Sequence, residues 1–358
     1  MSEARPLNYE KVKSFLGQAV NDVGTATLGA LSYIGDRLDL FKSMAAAGPV
    51  TIDELAERTR LKPRYLREWL NAMTVAGYVV YDAADGRYTL PAEHAAVLAD
   101  EDSPFFVGGF LEMIVPSVMQ APKLVKAFRN GKGVPQSAYP PEMFEAIERG
   151  TAPWYRHKLT QKWIPAMPDV KAKLEAGGSA LDVGCGSGRA AIAIAKAFPK
   201  ARVFGYDNHS GSIERARSNA KAEGMAKRVT FKVVDAKRLR GPKFDFISTF
   251  DVVHDSADPV GLLKAIHRSL KPDGTLLMLE MNCSPNVNEN INFIGKFLYS
   301  VSTLYCMTQS LAQNGEGIGA AMGEPKAREL ADAAGFGSFN RLPIEDPFSV
   351  LYELRHSS

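Results

Sequence analysis

Residues 179–198 read Ser-Ala-Leu-Asp-Val-Gly-Cys-Gly-Ser-Gly-Arg-Ala-Ala-Ile-Ala-Ile-Ala-Lys-Ala-Phe. The short apolar run Ser179 to Val183 predicts a strand, Gly184, Gly186 and Gly188 a tight turn, and Ala190 to Phe198 an alanine-rich helix. Strand, glycine turn and helix in that order open a nucleotide-binding α/β unit, because a backbone without Cβ atoms can pass close to a ligand. The spacing is Gly-x-Gly-x-Gly, not the Gly-x-Gly-x-x-Gly that seats a pyrophosphate. No Gly-Lys-Ser/Thr follows, so this is not a P-loop. A turn that binds nothing is the plainer alternative, and the strand–turn–helix context weighs against it. Cys185 reads as a small residue filling the loop.

From Asp182 onward, strand and helix patterns alternate. Strands are predicted at 201–206, 229–234, 244–250 and 275–280, helices at 212–223 and 258–270, and a late helix with two strands at 325–354. That pattern implies a doubly wound, mostly parallel sheet with ligands at the carboxyl ends of its strands. Asp207 ends the second strand, where an acid can take two ribose hydroxyls, and Asn208 stands beside it. Asp235, followed by Ala236, ends the third. Each acid alone is often a strand-end turn residue. Three on successive strands argue for a nucleoside ligand, without choosing between NAD and another.

With Asp182 two residues before Gly184, the stretch resembles motif I of the class I S-adenosylmethionine (SAM)-dependent methyltransferases. The resemblance implies a Rossmann-like methyltransferase sheet closed by an antiparallel pair, with SAM as cofactor. It also implies a cofactor set of Asp182, Gly184, Gly186, Gly188, Asp207, Asn208, Asp235, Ala236, Phe250 and Asp251. Phe250-Asp251-Val252-Val253-His254-Asp255 resembles the His-Asp motif of small-molecule O-methyltransferases, in which the His is the general base. Histidine suits that work near neutral pH. Asp255 is then expected to orient or cap. A capping or packing role is the plainer reading of His254. An acceptor that is already ionised, or a thioether, needs no base, so S- or N-methylation by positioning alone stays open beside transfer to a hydroxyl or phenol.

Upstream, Thr51 with Glu54 forms a capping box for a helix at 52–58, and Pro63 opens a second helix closed by Gly77. Two short strands flank Ala83-Ala84-Asp85-Gly86, and the whole is a winged helix. DNA reading is the usual use of that fold. Here the second helix offers a poor phosphate-contacting face and the hairpin tip is acidic, so packing and dimerisation are favoured over nucleic acid. Segments 53–59, 64–70, 91–94 and 99–104 resemble the amino-terminal domain of winged-helix methyltransferases common in mycobacteria and other bacteria, which implies a homodimer. Glycine- and alanine-rich helix 9–39, with Phe15, Ala19, Leu28, Leu31 and Ile34 at helical spacing, fits close packing within or between subunits.

Between these parts lie an apolar helical run at 105–118, a Gly/Pro-rich loop at 131–141, and an aromatic and basic stretch containing Tyr155 and His157. That stretch is either a lid over the ligand or an interdomain helix. Pro165 and Pro168 set the expected division into a helical and winged-helix domain, 1–165, for dimerisation and pocket wall, and a methyltransferase domain, 166–358. Acceptor contacts are expected from Tyr155, His157, Asn282, Phe293, Tyr299 and Tyr305, the last three on an inserted helical stretch at 287–311 that suggests a small aromatic or apolar acceptor.

The chain has 358 residues, 46% hydrophobic and 23% charged, with a net charge of +3 too mild to argue for nucleic acid. Cys185, Cys283 and Cys306 are far apart, which predicts neither a metal site nor disulfides and fits a reducing, cytoplasmic setting. No apolar run is long enough for a membrane span. A SAM- or DNA-binding regulator and a nicotinamide oxidoreductase are the competing classes.

Overall fold

The computed structural model describes residues 7–239 and 241–357. They form two compact units, Met1–Val115 and Pro116–Ser358. The helices between 116 and 165 thus fall with the sheet. The prolines at 165 and 168 lie inside the second unit, at the turn into one of its helices.

The first unit runs α1 (Tyr9–Arg37), α2 (Leu40–Ala45), α3 (Ile52–Thr59), α4 (Pro63–Val75), β1 (Val80–Asp82), β2 (Arg87–Thr89), α5 (Ala92–Leu98) and α6 (Gly108–Glu112). The capping box is formed: Thr51 Oγ1 accepts from Glu54 N–H, and Glu54 Oε2 accepts from Thr51 N–H. Trp69 anchors the core. Its Nε1–H donates to the Leu31 carbonyl at 3.0 Å, its ring meets Phe41 edge-on at 5.2 Å, and it lies so close to α1 that a Cβ on Gly35 would stand 2.5 Å from it.

The close packing expected of the glycine-rich helix is realised only in its second half. Gly29 faces Ile114 and Gly35 faces Trp69, whereas a Cβ on Gly17 or Gly24 would meet nothing within 4 Å. Phe15, one of the positions at helical spacing, is 68% exposed within the single chain, as are Leu16, Val20 and Val23 at similar levels. Helical spacing finds an apolar face but does not say what covers it. On the winged helix, Arg64 pairs with Glu68 and Arg87 of the wing pairs with Glu54, so two of its cations are already matched by acids.

The second unit continues through α7 (Ile114–Val118), α8 (Ala121–Asn130), α9 (Pro141–Trp154) and α10 (Pro168–Glu175). Pro153 removes a backbone donor near the end of α9, and the helix goes on as a π-helical segment, Tyr155–Trp163. Then come β3 (Ser179–Val183), α11 (Arg189–Ala197), β4 (Arg202–Asp207), α12 (Ser210–Ala222), β5 (Val229–Val233), β6 (Phe244–Phe250), α13 (Pro259–Ser269) and β7 (Leu270–Met281). The chain finishes with α14 (Phe293–Val301), a π-helical turn Ser302–Cys306, α15 (Met307–Ala312), α16 (Gly323–Ala334), β8 (Ser338–Arg341) and β9 (Ser349–Arg355).

The seven strands are ordered β5-β4-β3-β6-β7-β9-β8. The first five are parallel, and β9 runs antiparallel to both β7 and β8. This is the doubly wound sheet with a reversed closing pair expected above. β3 and β6 are buried along their whole length, as strands covered by helices on both faces must be. Strand order reverses between β3 and β6, so their carboxyl ends open the crevice where such sheets bind ligands.

Candidate functional site

The loop after β3 is held by backbone. Gly184 and Cys185 N–H both donate to the Tyr206 carbonyl, at 2.8 and 3.1 Å, and Gly188 N–H returns to Cys185. Gly184 has φ +70° and Gly188 φ +77°; Cβ atoms there would stand 2.6 Å from Val252 and Phe231. Only glycine fits both the dihedral and the space. Gly186, also at positive φ, would meet nothing within 4 Å, so its outer side is open.

Three carboxyls surround this loop. Asp207 spans it: Oδ2 accepts from Gly186 N–H at 2.9 Å and Oδ1 from His209 N–H at 2.8 Å. Burial pushes its pKa up against those bonds. Asp182, 3% exposed, accepts from Ser248 Oγ–H at 3.0 Å, and burial raises it to about 7. Asp251 follows β6 in a left-handed conformation, φ +55°, a strained choice for a non-glycine residue. Its Oδ1 is buried with no hydrogen-bond partner among the described residues, and burial, reinforced by Glu280 and Asp255, raises it to about 8.

A second cluster sits beside Asp251. His254 is 1% exposed. Its Nδ1–H donates to Glu280 Oε2 at 2.5 Å, while Nε2 lies 3.1 Å from Asp255 Oδ1. Glu280 is fixed in turn, since its Oε1 accepts from Val253 N–H at 3.2 Å. Burial alone would lower the imidazole pKa, but Glu280 and Asp255 outweigh it and hold the ring well above its ordinary range. The ring thus lies between two carboxyl groups that favour its charged form. Cys306 lies against this pair, its thiol pushed up to about 12 by burial. Ligand atoms of His254, Asp255 and Cys306 lie within 4.8 Å of one another, as do those of Asp251, His254 and Glu280. These sets are assembled from separate elements, so cysteine spacing could not disclose them.

The remaining expected residues divide. Phe250 meets Tyr155 with ring centres 5.2 Å apart and planes tilted by 58°, and burial drives the Tyr155 pKa well above its ordinary value, with Asp182 and Asp251 adding to it. Tyr305 is buried and meets Tyr139 edge-on at 5.0 Å; its own neighbours include Asp255. Asn282 is tied to the loop ahead of β9 through the Asp346 carbonyl. His157 is half-buried, and Asn208 is exposed. Asp235 is exposed, in ion-pair range of Arg238, and Ala236 opens a short 3-10 turn. Phe293 is 76% exposed and Tyr299 38%, so neither is buried with His254. Sequence reading placed Glu280 at the cleft end of the fifth strand without tying it to His254, and it left Tyr139 without a role. Glu280 carried a signal, an acid at the end of an apolar strand, whereas nothing marked Tyr139 in its loop.

A doubly wound sheet with this strand order, this glycine loop and acids at its strand ends is the class I SAM-dependent methyltransferase fold. Residues 174–332 match the methyltransferase domain family and residues 26–100 the Rv2258c-like winged HTH domain family. A demethylmenaquinone methyltransferase from Lactobacillus johnsonii is 30% identical over 148 residues, 40% of this chain and 57% of that protein. A ubiquinone biosynthesis O-methyltransferase from Ruegeria pomeroyi is 33% identical over 105 residues, 29% of this chain and 42% of that protein. The chain thus spans about half the length of these curated relatives. The crystal structure of human N-acetylserotonin methyltransferase with SAM has a TM-score of 0.68 at 18% identity, covering all of both chains, which shows a shared fold.

Proposed function

We propose that the protein transfers a methyl group from SAM to a hydroxyl or phenol oxygen of a small molecule. The observation that carries this is the pairing of two acid sets at the carboxyl ends of β3, β4 and β6: Asp182, Asp207 and Asp251 beside the open face of Gly186, and His254 with Glu280 next to them. Burial makes the first set costly to ionise without a cation nearby. An ammonium and a sulfonium are cations, so SAM fits this lining, and Asp251 Oδ1 waits for a donor. NAD carries a pyrophosphate, which three buried acids beside the loop would repel.

When bound, SAM supplies the electrophilic methyl. The chain's own work lies in Asp207 and Asn208 toward the ribose, Asp235 and Ala236 toward the adenine, and Asp182 and Asp251 toward the methionine end. Glu280 fixes the His254 ring with Nδ1 protonated, so Nε2 is the atom that exchanges a proton. With a cation held in the neighbouring acidic lining, like-charge repulsion would lower the imidazole pKa, and His254 Nε2 would be free to take the acceptor's proton. Asp255, opposite Nε2, is then the group the acceptor hydroxyl displaces. Tyr155, Tyr139 and Tyr305 give the acceptor an aromatic wall. Binding of labelled SAM, followed by a screen against phenols, alcohols, thiols and amines, tests the reading. Tight NADH binding with no SAM binding would overturn it.

One observation favours a second reading. Both ring nitrogens of His254 face carboxylates, which suits a fixed cation more than a free base. Transfer to a thiol or amine by positioning alone would then follow. His254→Ala decides: turnover retained within a few-fold on the true acceptor removes His254 from the base role.

A further inference from the structure

We propose that Glu148 of α9 is a positioning residue that sets the conformation of the glycine loop for its ligand. This rests on the loop being the seat of SAM. Glu148 lies outside the loop, on a helix of a different part of the chain, and is 6% exposed. Its Oε1 accepts from Arg189 Nε at 2.7 Å and from Asn219 Nδ2 at 2.8 Å, and its Oε2 accepts from Arg215 Nε. The same Asn219 amide donates its other hydrogen to the Ser187 carbonyl at 3.0 Å, in the middle of Gly186-Ser187-Gly188. Arg189 is the residue that follows Gly188. One buried carboxylate therefore holds both the loop carbonyl and the first residue of α11.

A second strut leaves the same helix. Phe144, one turn before Glu148, stacks on His209 with ring centres 5.1 Å apart and planes 25° from parallel. His209 N–H donates to Asp207, which accepts from Gly186 N–H. From α9 one route runs through Asn219 to the carbonyl of Ser187, and the other through His209 and Asp207 to the amide of Gly186. They converge on adjacent residues of the loop.

A buried ion pair is weak evidence of stability, since apolar residues of similar volume serve a core at least as well. What charge adds is a unique arrangement. Here every neighbour is matched: Arg189 also meets Glu223, Glu223 meets Lys196 at 2.6 Å, and Arg215 also meets Glu145 at 3.4 Å. Glu148 Oε1 and the Ser187 carbonyl, one for each amide hydrogen, fix which way the Asn219 amide points.

The test is equilibrium binding of SAM to the full chain. Glu148→Gln keeps the shape and removes the charge; Asn219→Ala removes the bridge between Glu148 and the Ser187 carbonyl. Each is expected to raise the SAM Kd about tenfold, the scale for a slight displacement of a preorganised group, with the acceptor KM unchanged. The double variant is expected to bind no more weakly than the worse single one, because both act through one link. Multiplying losses in the double variant, or a folded single variant that binds SAM within twofold of the parent, would overturn the proposal. Should Glu148→Gln fail to fold, Asn219→Ala carries the test with Phe144→Leu, whose loss is expected to multiply with it because it lies on the other route. Absence of SAM binding by the parent protein would instead overturn the cofactor reading on which this one stands.

Discussion

The two halves of the site satisfy their charges in different ways. Around β3 and β4, Asp182 and Asp207 are met by neutral donors: Ser248, Gly186 and His209. Around β6 and β7, Asp251, His254, Asp255 and Glu280 are met mainly by one another. The first half is pre-set by the backbone and responds to a ligand mostly through its buried negative charge. The second is a coupled cluster in which changing one charge moves all the others. On the proposed reading, cofactor binding and proton movement would rest on different physics within one crevice.

The largest effect is expected from Glu280→Gln. It removes one of the two carboxylates that hold the imidazole up and loosens the tautomer, so kcat is expected to fall about a hundredfold or more. The SAM Kd should stay within about twofold if the halves are separable. Stopped-turnover kinetics and calorimetry on one preparation check this, and equal losses in Kd and kcat would merge the halves.

Next in size is the converse, Asp182→Asn. It is expected to weaken SAM binding about tenfold, the order of one charge-assisted contact, with little change in acceptor KM. In the parent, SAM affinity should rise with pH through about 7, where Asp182 ionises, and this rise should flatten in the variant. A pH-independent affinity in the parent would mean that Asp182 does not meet a cation.

The smallest effect is on the stability of the free protein. Asp182 and Asp251 are raised from 3.8 to about 7 and about 8, so the folded state holds more protons than the unfolded chain in that window. Stability is therefore expected to fall as pH rises from about 4 to 8, and His254, also raised, adds the same sign above 6.5. A melting temperature lower by a few degrees at pH 8 than at pH 5, with a SAM-induced increase that grows over the same range, is the expected calorimetric result. A melting temperature that climbs with pH would show the acids to be better paired than their burial implies.

This division also tracks what was legible in the sequence. β3 with its glycines, and the acids that close β3, β4 and β5, follow from local pattern: an apolar run, a turn that only glycine can make, and a polar residue where the strand leaves the core. The His254 motif was legible for the same reason. Its partners were not, because Glu280, Tyr139 and Cys306 approach from 26 or more residues away in either direction and no periodicity ties them to His254. Phe293 and Tyr299 stand in an apolar helix whose pattern reads the same whether it faces a pocket or solvent. Glu148 carries no motif at all. It is visible only once α9, α11 and α12 stand side by side.

One feature of the sheet bears on how the protein is made. β9 is the last strand in the sequence, yet it lies between β7 and β8 and supplies the whole of the hydrogen-bonding edge of β7 from Thr275 to Met281. During synthesis β7 therefore leaves the ribosome long before its partner, with one edge of Leu276, Leu277, Met278 and Leu279 bare. An unpaired apolar strand edge of this kind is a template for wrong pairing until its partner arrives. Chains stalled before Ser349 are expected to be cut by protease within the sheet, and chains stalled once Arg355 has emerged to resist it.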